Sequence, residues 1–291
     1  MCLGERYTRD KNVGIVIREL FLKIDRVFLC VSFFIFGLIV GSFLNAVAWR
    51  LREGMSLGGR SMCPKCRAMI VWYDNIPLFS YIILGGKCRS CHTTISRTYP
   101  IIEGVTGILF ALFGVTFFVS QDVGTWMVTG FYLVAVAILT LIFMHDLETM
   151  EIPDILLWVG VGWSLVMLLV LDAYAFEPSV SIWSLRLYSG IVAGLAGFFP
   201  LFLISALSQE KWMGMGDGFL AFFIGLVTGW PTVLYALTMG FCLGSMIGIF
   251  LVVFRRKHMR SQLPLGPFLV TGAILAILLS AWFPFGVFQF F

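Results

Sequence analysis

Apolar runs of membrane length alternate with short polar clusters along most of the chain. The runs at 27–48, 101–120, 124–144, 154–172, 188–208, 213–229, 232–254 and 265–287 predict eight spanning helices. About 20 apolar residues suffice to cross a hydrocarbon core of roughly 30 Å. Residues 218–254 carry no charge at all. As one helix they would extend on the order of 55 Å, nearly twice the core thickness, so Gly229-Trp230-Pro231 is the natural break. If 213–229 enters and leaves by the same face, the count falls to seven.

Composition sharpens this pattern: 59% of the residues are apolar and only 12% charged. A soluble protein of this size needs far more polar surface, so the fold class is an all-α polytopic membrane protein of about eight helices. The net charge of +4 follows the membrane and does not imply a nucleic-acid partner. The first apolar run lacks a small-residue cleavage site, so no removable signal is expected. Lys and Arg set the orientation. Eight lie between the first two spans (Arg50, Arg52, Arg60, Lys65, Arg67, Lys87, Arg89, Arg97), and four more at Arg255, Arg256, Lys257 and Arg260. Parity puts both groups on one side, the cytosol. The six basic residues before Val27 oppose that assignment; an interfacial tail or an over-extended translation start reconciles them better than an inverted topology, because the long loop and the Arg255 cluster outvote them. The expected organisation is a tail at 1–26, a first helix at 27–48, a cytosolic cysteine domain at 49–100 and a membrane-embedded part at 101–291.

Four of the seven cysteines form "CPKC" (Cys63, Cys66) and "CRSC" (Cys88, Cys91). Each Cys-x-x-Cys turn offers two thiolates from one knuckle, and two such turns at this separation predict a closed, structural zinc site of four thiolates. A cytosolic loop favours metal over disulfide. His92 adjoins Cys91, but four thiolates already complete the shell. Cys2, Cys30 and Cys242 are isolated.

The charges near the membrane are fewer and more informative. "GMGDGF" (214–219) sets Asp217 at the mouth of an apolar run, where a carboxylate is expensive. "FMHDLETMEIPD" closes the third span with Asp146 and starts the fourth after Pro153. Parity places Asp146 and Asp217 at the same membrane face. Two carboxylates that meet there share one proton, the arrangement of aspartyl-protease chemistry. A lone aspartate at a helix end is most often a solvated or capping group, which is the reading for Asp154. His145 is read as an interface residue. "GLIVG" (37–41) and "GIVAG" (190–194) are assigned to close helix contacts. Asp146, Glu148, Glu151 and Asp154 form an acidic rim without Lys or Arg in their own loop.

Taken together, these pieces resemble the bacterial type IV prepilin peptidases, membrane aspartyl enzymes. The likeness runs from about Gly41 to Pro267 through "GSFLNAVAWRL" (41–51), "CPKC", "WYDNIPLFSY" (72–81), "GGKCRSC" (85–91), "ISRTYPIIE" (95–103), "DLETMEIPD" (146–154), "GMGD" and "LPLGPFL" (263–269). The resemblance implies that Asp146 and Asp217 are the catalytic pair and that Cys63, Cys66, Cys88 and Cys91 hold the metal. It implies prepilin or pseudopilin substrates with basic leaders, in pilus assembly or type II secretion, and a place in the bacterial inner membrane with the site facing the cytoplasm. It also implies methylation of the new N-terminus from S-adenosylmethionine, an activity associated with the cysteine insertion. No glycine-rich nucleotide motif in the residues themselves points to that cofactor.

Two positions depart from the family pattern. Phe219 stands where a lysine often follows the aspartate, and "TYP" (98–100) replaces "RYP", with Arg97 one place forward. Other readings are a peptidase without methylation, a proton-coupled transporter using the paired acids, and a scaffold with a zinc module. The transporter requires related half-repeats broken at mid-membrane, and none is visible.

Overall fold

The computed structural model describes residues 2–175, 185–211, 213–254 and 264–282, with side chains from residue 26 onward. Eight apolar helices are present among the described residues: α1 (Cys2–Arg52), α3 (Thr98–Phe117), α4 (Val123–Thr149), α5 (Asp154–Tyr174), α6 (Arg186–Ser208), α7 (Met215–Thr228), α8 (Thr232–Val253) and α9 (Gly266–Trp282). A short helix, α2 (Phe79–Ile83), and a 3-10 turn at Trp72–Asn75 lie in the loop between α1 and α3. Six of the apolar helices are long enough to span, and the chain is a multi-pass membrane protein. Five of the six basic residues of the N-terminal tail, all but Arg26, and the Arg255 cluster lie outside the described side chains. The tail's backbone continues the helix of the first span.

The two shorter helices, α7 and α9, have 14 and 17 residues. At 1.5 Å per residue α7 is about 21 Å long, short of the roughly 30 Å core. It tolerates this because neighbours enclose it: Leu220, Ala221, Phe223 and Ile224 have no exposed surface. Gly229, at φ +70°, ends α7 where the sequence places the break.

Close helix contacts occur at both predicted glycine pairs. A side chain at Gly37 would meet the Phe110 Cβ at 2.6 Å, and one at Gly41 the Glu103 Cα at 2.9 Å. These positions let α1 and α3 approach backbone to backbone and set both ends of their connecting loop side by side. Gly190 and Gly194 likewise face α7, against Leu226 and Phe222.

Contacts at the two ends of the bundle agree with the parity of the spans. At one end Arg52 pairs with Glu148, and Gly266 faces Asp146. At the other, the Trp282 indole N–H donates to the Thr116 hydroxyl at 2.9 Å, and the Trp230 backbone N–H to Ser189 at 2.9 Å. There Asp122 caps α4 by accepting the Thr125 N–H at 3.0 Å.

Candidate active site

Asp146 occupies the last turns of α4 and is 3% exposed. The chain behind it turns through Met150 in the left-handed region (φ +57°) before Pro153 opens α5. That conformation is costly for a side chain bearing a Cβ, and His145 helps hold it. The His145 Nδ1–H donates to the Glu151 carbonyl at 3.0 Å, and Thr149 also reaches Nδ1 at 2.9 Å. A carbonyl only accepts, so the proton sits on Nδ1. His145 is therefore a latch on the turn beside Asp146, a more specific role than the interface residue expected.

Asp217 lies in the first turn of α7, behind the extended Gly214 at its N-cap. Its carboxylate turns back toward the Gly214 amide, and it interacts electrostatically with Asp146. Ile152 packs between the segments that present the two acids: positions at Gly216 and Gly266 lie 3.4 and 3.5 Å from it. The fold thus brings together two aspartates from separate helices, α4 and α7. The Oδ2 of Asp146 is buried and, among the described residues, has no hydrogen-bond partner. A buried carboxylate oxygen is normally satisfied, so this atom is open to a water or a substrate group.

Gly266, at the start of α9, stands out in the sequence only as part of a motif. Its backbone faces the Asp146 carboxyl, and any Cβ there would collide with Oδ2. Phe219, the departure beside Asp217, packs on Phe198 at 5.3 Å and Trp158 at 5.8 Å between ring centres. The aromatic surroundings account for an apolar residue at that position.

The cysteines converge as the spacing predicts. The four Sγ atoms all lie within 4.8 Å of one another, with Cys63 and Cys91 at 3.9 Å. A tetrahedral Zn–S distance of about 2.3 Å puts the sulfurs roughly 3.8 Å apart, so the cluster can hold a metal ion of that kind. The two knuckles share one local design. Arg67 and His92 follow the second cysteines at φ +58° and +55°. The Cys63 and Cys88 amides donate across the turn to Ala68 and Thr93, each at 2.9 Å. Hydrogen bonds from the Thr93 hydroxyl and backbone lower the Cys91 thiol to about 6. His92 is exposed and outside the cluster, as expected. The Arg50 guanidinium fastens the start of the loop, donating to the carbonyls of Leu57, Gly59 (2.7 Å) and Arg60 (3.1 Å).

A cavity of about 430 Å³ lies between α1, α3 and this loop, lined by neither Asp146 nor Asp217. The molecule therefore has two separate candidate sites at one end of the bundle.

Residues 35–117 match the Bacterial Peptidase A24 N-terminal domain, and residues 133–249 the Type IV leader peptidase family. The prepilin leader peptidase/N-methyltransferase of Bacillus subtilis is 32% identical over 248 residues, covering 84% of this chain and 92% of that protein. The type 4 prepilin-like proteins leader peptide-processing enzyme of an Escherichia coli strain is 31% identical, covering 85% and 93%. A Vibrio cholerae prepilin leader peptidase/N-methyltransferase is 30% identical, covering 84% and 94%. No solved structure matches the chain.

Proposed function

Because the chain belongs to the type IV leader peptidase family, we propose that it cleaves the basic leader from prepilins or pseudopilins with Asp146 and Asp217. What supports this reading is the packing of the two acid-bearing segments on Ile152, with one Asp146 oxygen buried and unpartnered among the described residues. Like charges in a water-poor site cannot both ionise cheaply, so the pair holds one shared proton. The ionised carboxylate takes a proton from a water as its oxygen attacks the scissile carbonyl. The protonated partner donates to the carbonyl oxygen, and the resulting tetrahedral diol collapses as a proton passes to the leaving amine. Both acids gather at one end of the bundle, which favours this over a transport path through the mid-membrane. Incubating the purified chain in detergent with a prepilin and following leader loss tests the reading; an intact leader under conditions where the protein is folded overturns it.

Gly266 positions this pair through its lack of a side chain. Gly266→Ala is expected to reduce the cleavage kcat by on the order of 10²-fold through displacement of Asp146, with helicity by circular dichroism retained. An unchanged kcat would remove Gly266 from the site.

The loop metal is zinc in this reading, held by Cys63, Cys66, Cys88 and Cys91 with no position left for substrate. The site faces the cytoplasm of the bacterial inner membrane, where the leader's basic residues are found. The acidic rim suits such a partner, although Arg52 already neutralises Glu148. Glu151, Asp154 and Glu210 remain exposed on that rim. Glu151→Lys with Glu210→Lys should raise KM severalfold at low salt, and a charge-reversed leader should restore it. Because surface charges are screened within about 8–10 Å near physiological ionic strength, the effect should shrink as salt rises. A KM indifferent to both salt and charge would end the steering argument.

Methylation of the newly exposed N-terminus is the second activity proposed. S-Adenosylmethionine, when bound, supplies an electrophilic methyl group; this chain's contribution is a site that binds it near the loop.

A further inference from the structure

Glu103 is the most unusual charged side chain outside the aspartate pair. It lies on α3 at 8% exposure and lines the 430 Å³ cavity beneath the cysteine loop. Its Oε2 accepts the Leu78 N–H at 2.8 Å and the Ser42 side chain also hydrogen-bonds to it, but among the described residues no Lys, Arg or His pairs with it. A buried carboxylate without a counter-ion is costly, so the cavity is electrostatically incomplete. Three of the other charges lining it are committed elsewhere. Arg50 is spent on loop carbonyls, and Arg89 forms a two-point pair with Asp74 at 2.6 and 2.7 Å.

The remaining lining has the character of a small-molecule site. Cavities of roughly 300–1,000 Å³ with apolar and aromatic walls and a few convergent polar groups are typical of such sites. Here Trp49, Tyr81 and Tyr99 supply aromatic surface, and Lys65 lies on the loop side of the same cavity. An occupant that satisfies this set carries a positive charge for Glu103, a planar ring for the aromatic walls and a negative group for Lys65. S-Adenosylmethionine has all three, with a sulfonium, an adenine and a carboxylate, so the residues present fit the group.

We propose that this cavity binds the methyl donor, with Glu103 as the anionic partner of its cationic part. The proposal rests on the methylation reading above and adds the location. A lipid-facing groove of about 700 Å³ along α1 shares Ser42, Ala46 and Arg50 with the cavity wall. An apolar pilin helix lying in that groove would bring its N-terminal amine to the cavity without leaving the bilayer.

Equilibrium dialysis of labelled S-adenosylmethionine against the detergent-solubilised full chain tests this directly. The wild-type protein should bind, and ultraviolet cross-linking should attach the label to peptides containing residues 42–50, 81 or 99–103. Glu103→Gln should weaken binding by roughly tenfold or more, the usual effect of losing a charged hydrogen-bond partner. Metal content at about one ion per chain shows that the loop still folds around the Leu78 contact. Ala46→Phe, which fills the cavity from α1 and leaves Glu103 in place, should block binding as well. If wild-type protein cleaves and methylates while both variants bind normally, the location is wrong and the methylation reading stands. If wild-type protein cleaves but binds no methyl donor, the location and the methylation reading fail together.

Discussion

Asp146→Asn and Asp217→Asn, made singly, each reduce leader cleavage by at least roughly 10³-fold while the protein stays folded in detergent. An amide preserves shape but cannot accept or cycle a proton. The remaining carboxylate cannot both activate water and protonate the carbonyl, so either loss disables the whole pair. The double variant should be little worse than either single one, because residues that act as a unit are strongly non-additive. Asp154→Asn is the control: Asp154 opens α5 in an exposed position and should change turnover little. The wild-type rate should follow a bell-shaped pH profile with two apparent values belonging to the pair, not to either residue. Near-normal turnover in one of the asparagine variants would break the assignment.

The helices were legible in the sequence because charge is nearly absent from them and clustered between them. Boundaries were less so. The helix α3 begins at Thr98, not 101, because Pro100 in a first turn loses no intrahelical bond. Both Cys-x-x-Cys knuckles were legible because their chemistry is local. The contacts that complete the two sites were not. Gly266 faces Asp146 across more than a hundred residues of chain, and Glu103 meets Leu78 through the fold of the loop. The ion pair between Arg52 and Glu148 also joins distant segments, and it changes an acidic rim that looked unopposed in the sequence. Periodicity reports which face of a helix is apolar; it carries no record of which residues on two distant helices meet.

The second large effect concerns the metal. Cys63→Ser and Cys88→Ser should each abolish binding of the proposed zinc ion, because a hydroxyl is a poor substitute for a thiolate in a four-sulfur shell. The loop between α1 and α3 then has little left to order it. Among its described residues it contains one short helix, a 3-10 turn and two isolated β-bridges, Met62–Met69 and Lys87–Thr94, each beside a knuckle. Structural zinc contributes about 10–16 kcal/mol of apparent binding energy in small metal-folded peptides, more than such a loop can replace. Metal analysis should show loss of the ion, and limited proteolysis should open the chain between residues 53 and 97. The consequences for the two sites should differ. The cavity at Glu103 takes much of its wall from the loop, so methyl-donor binding should disappear. The aspartate pair is presented by α4 and α7, with α9 against it, and meets the base of the loop through the Arg52–Glu148 pair. Cleavage should therefore fall several-fold at most. Equal loss of both activities would mean that the loop braces this whole end of the bundle, and active protein free of zinc would remove the metal from the mechanism of folding altogether.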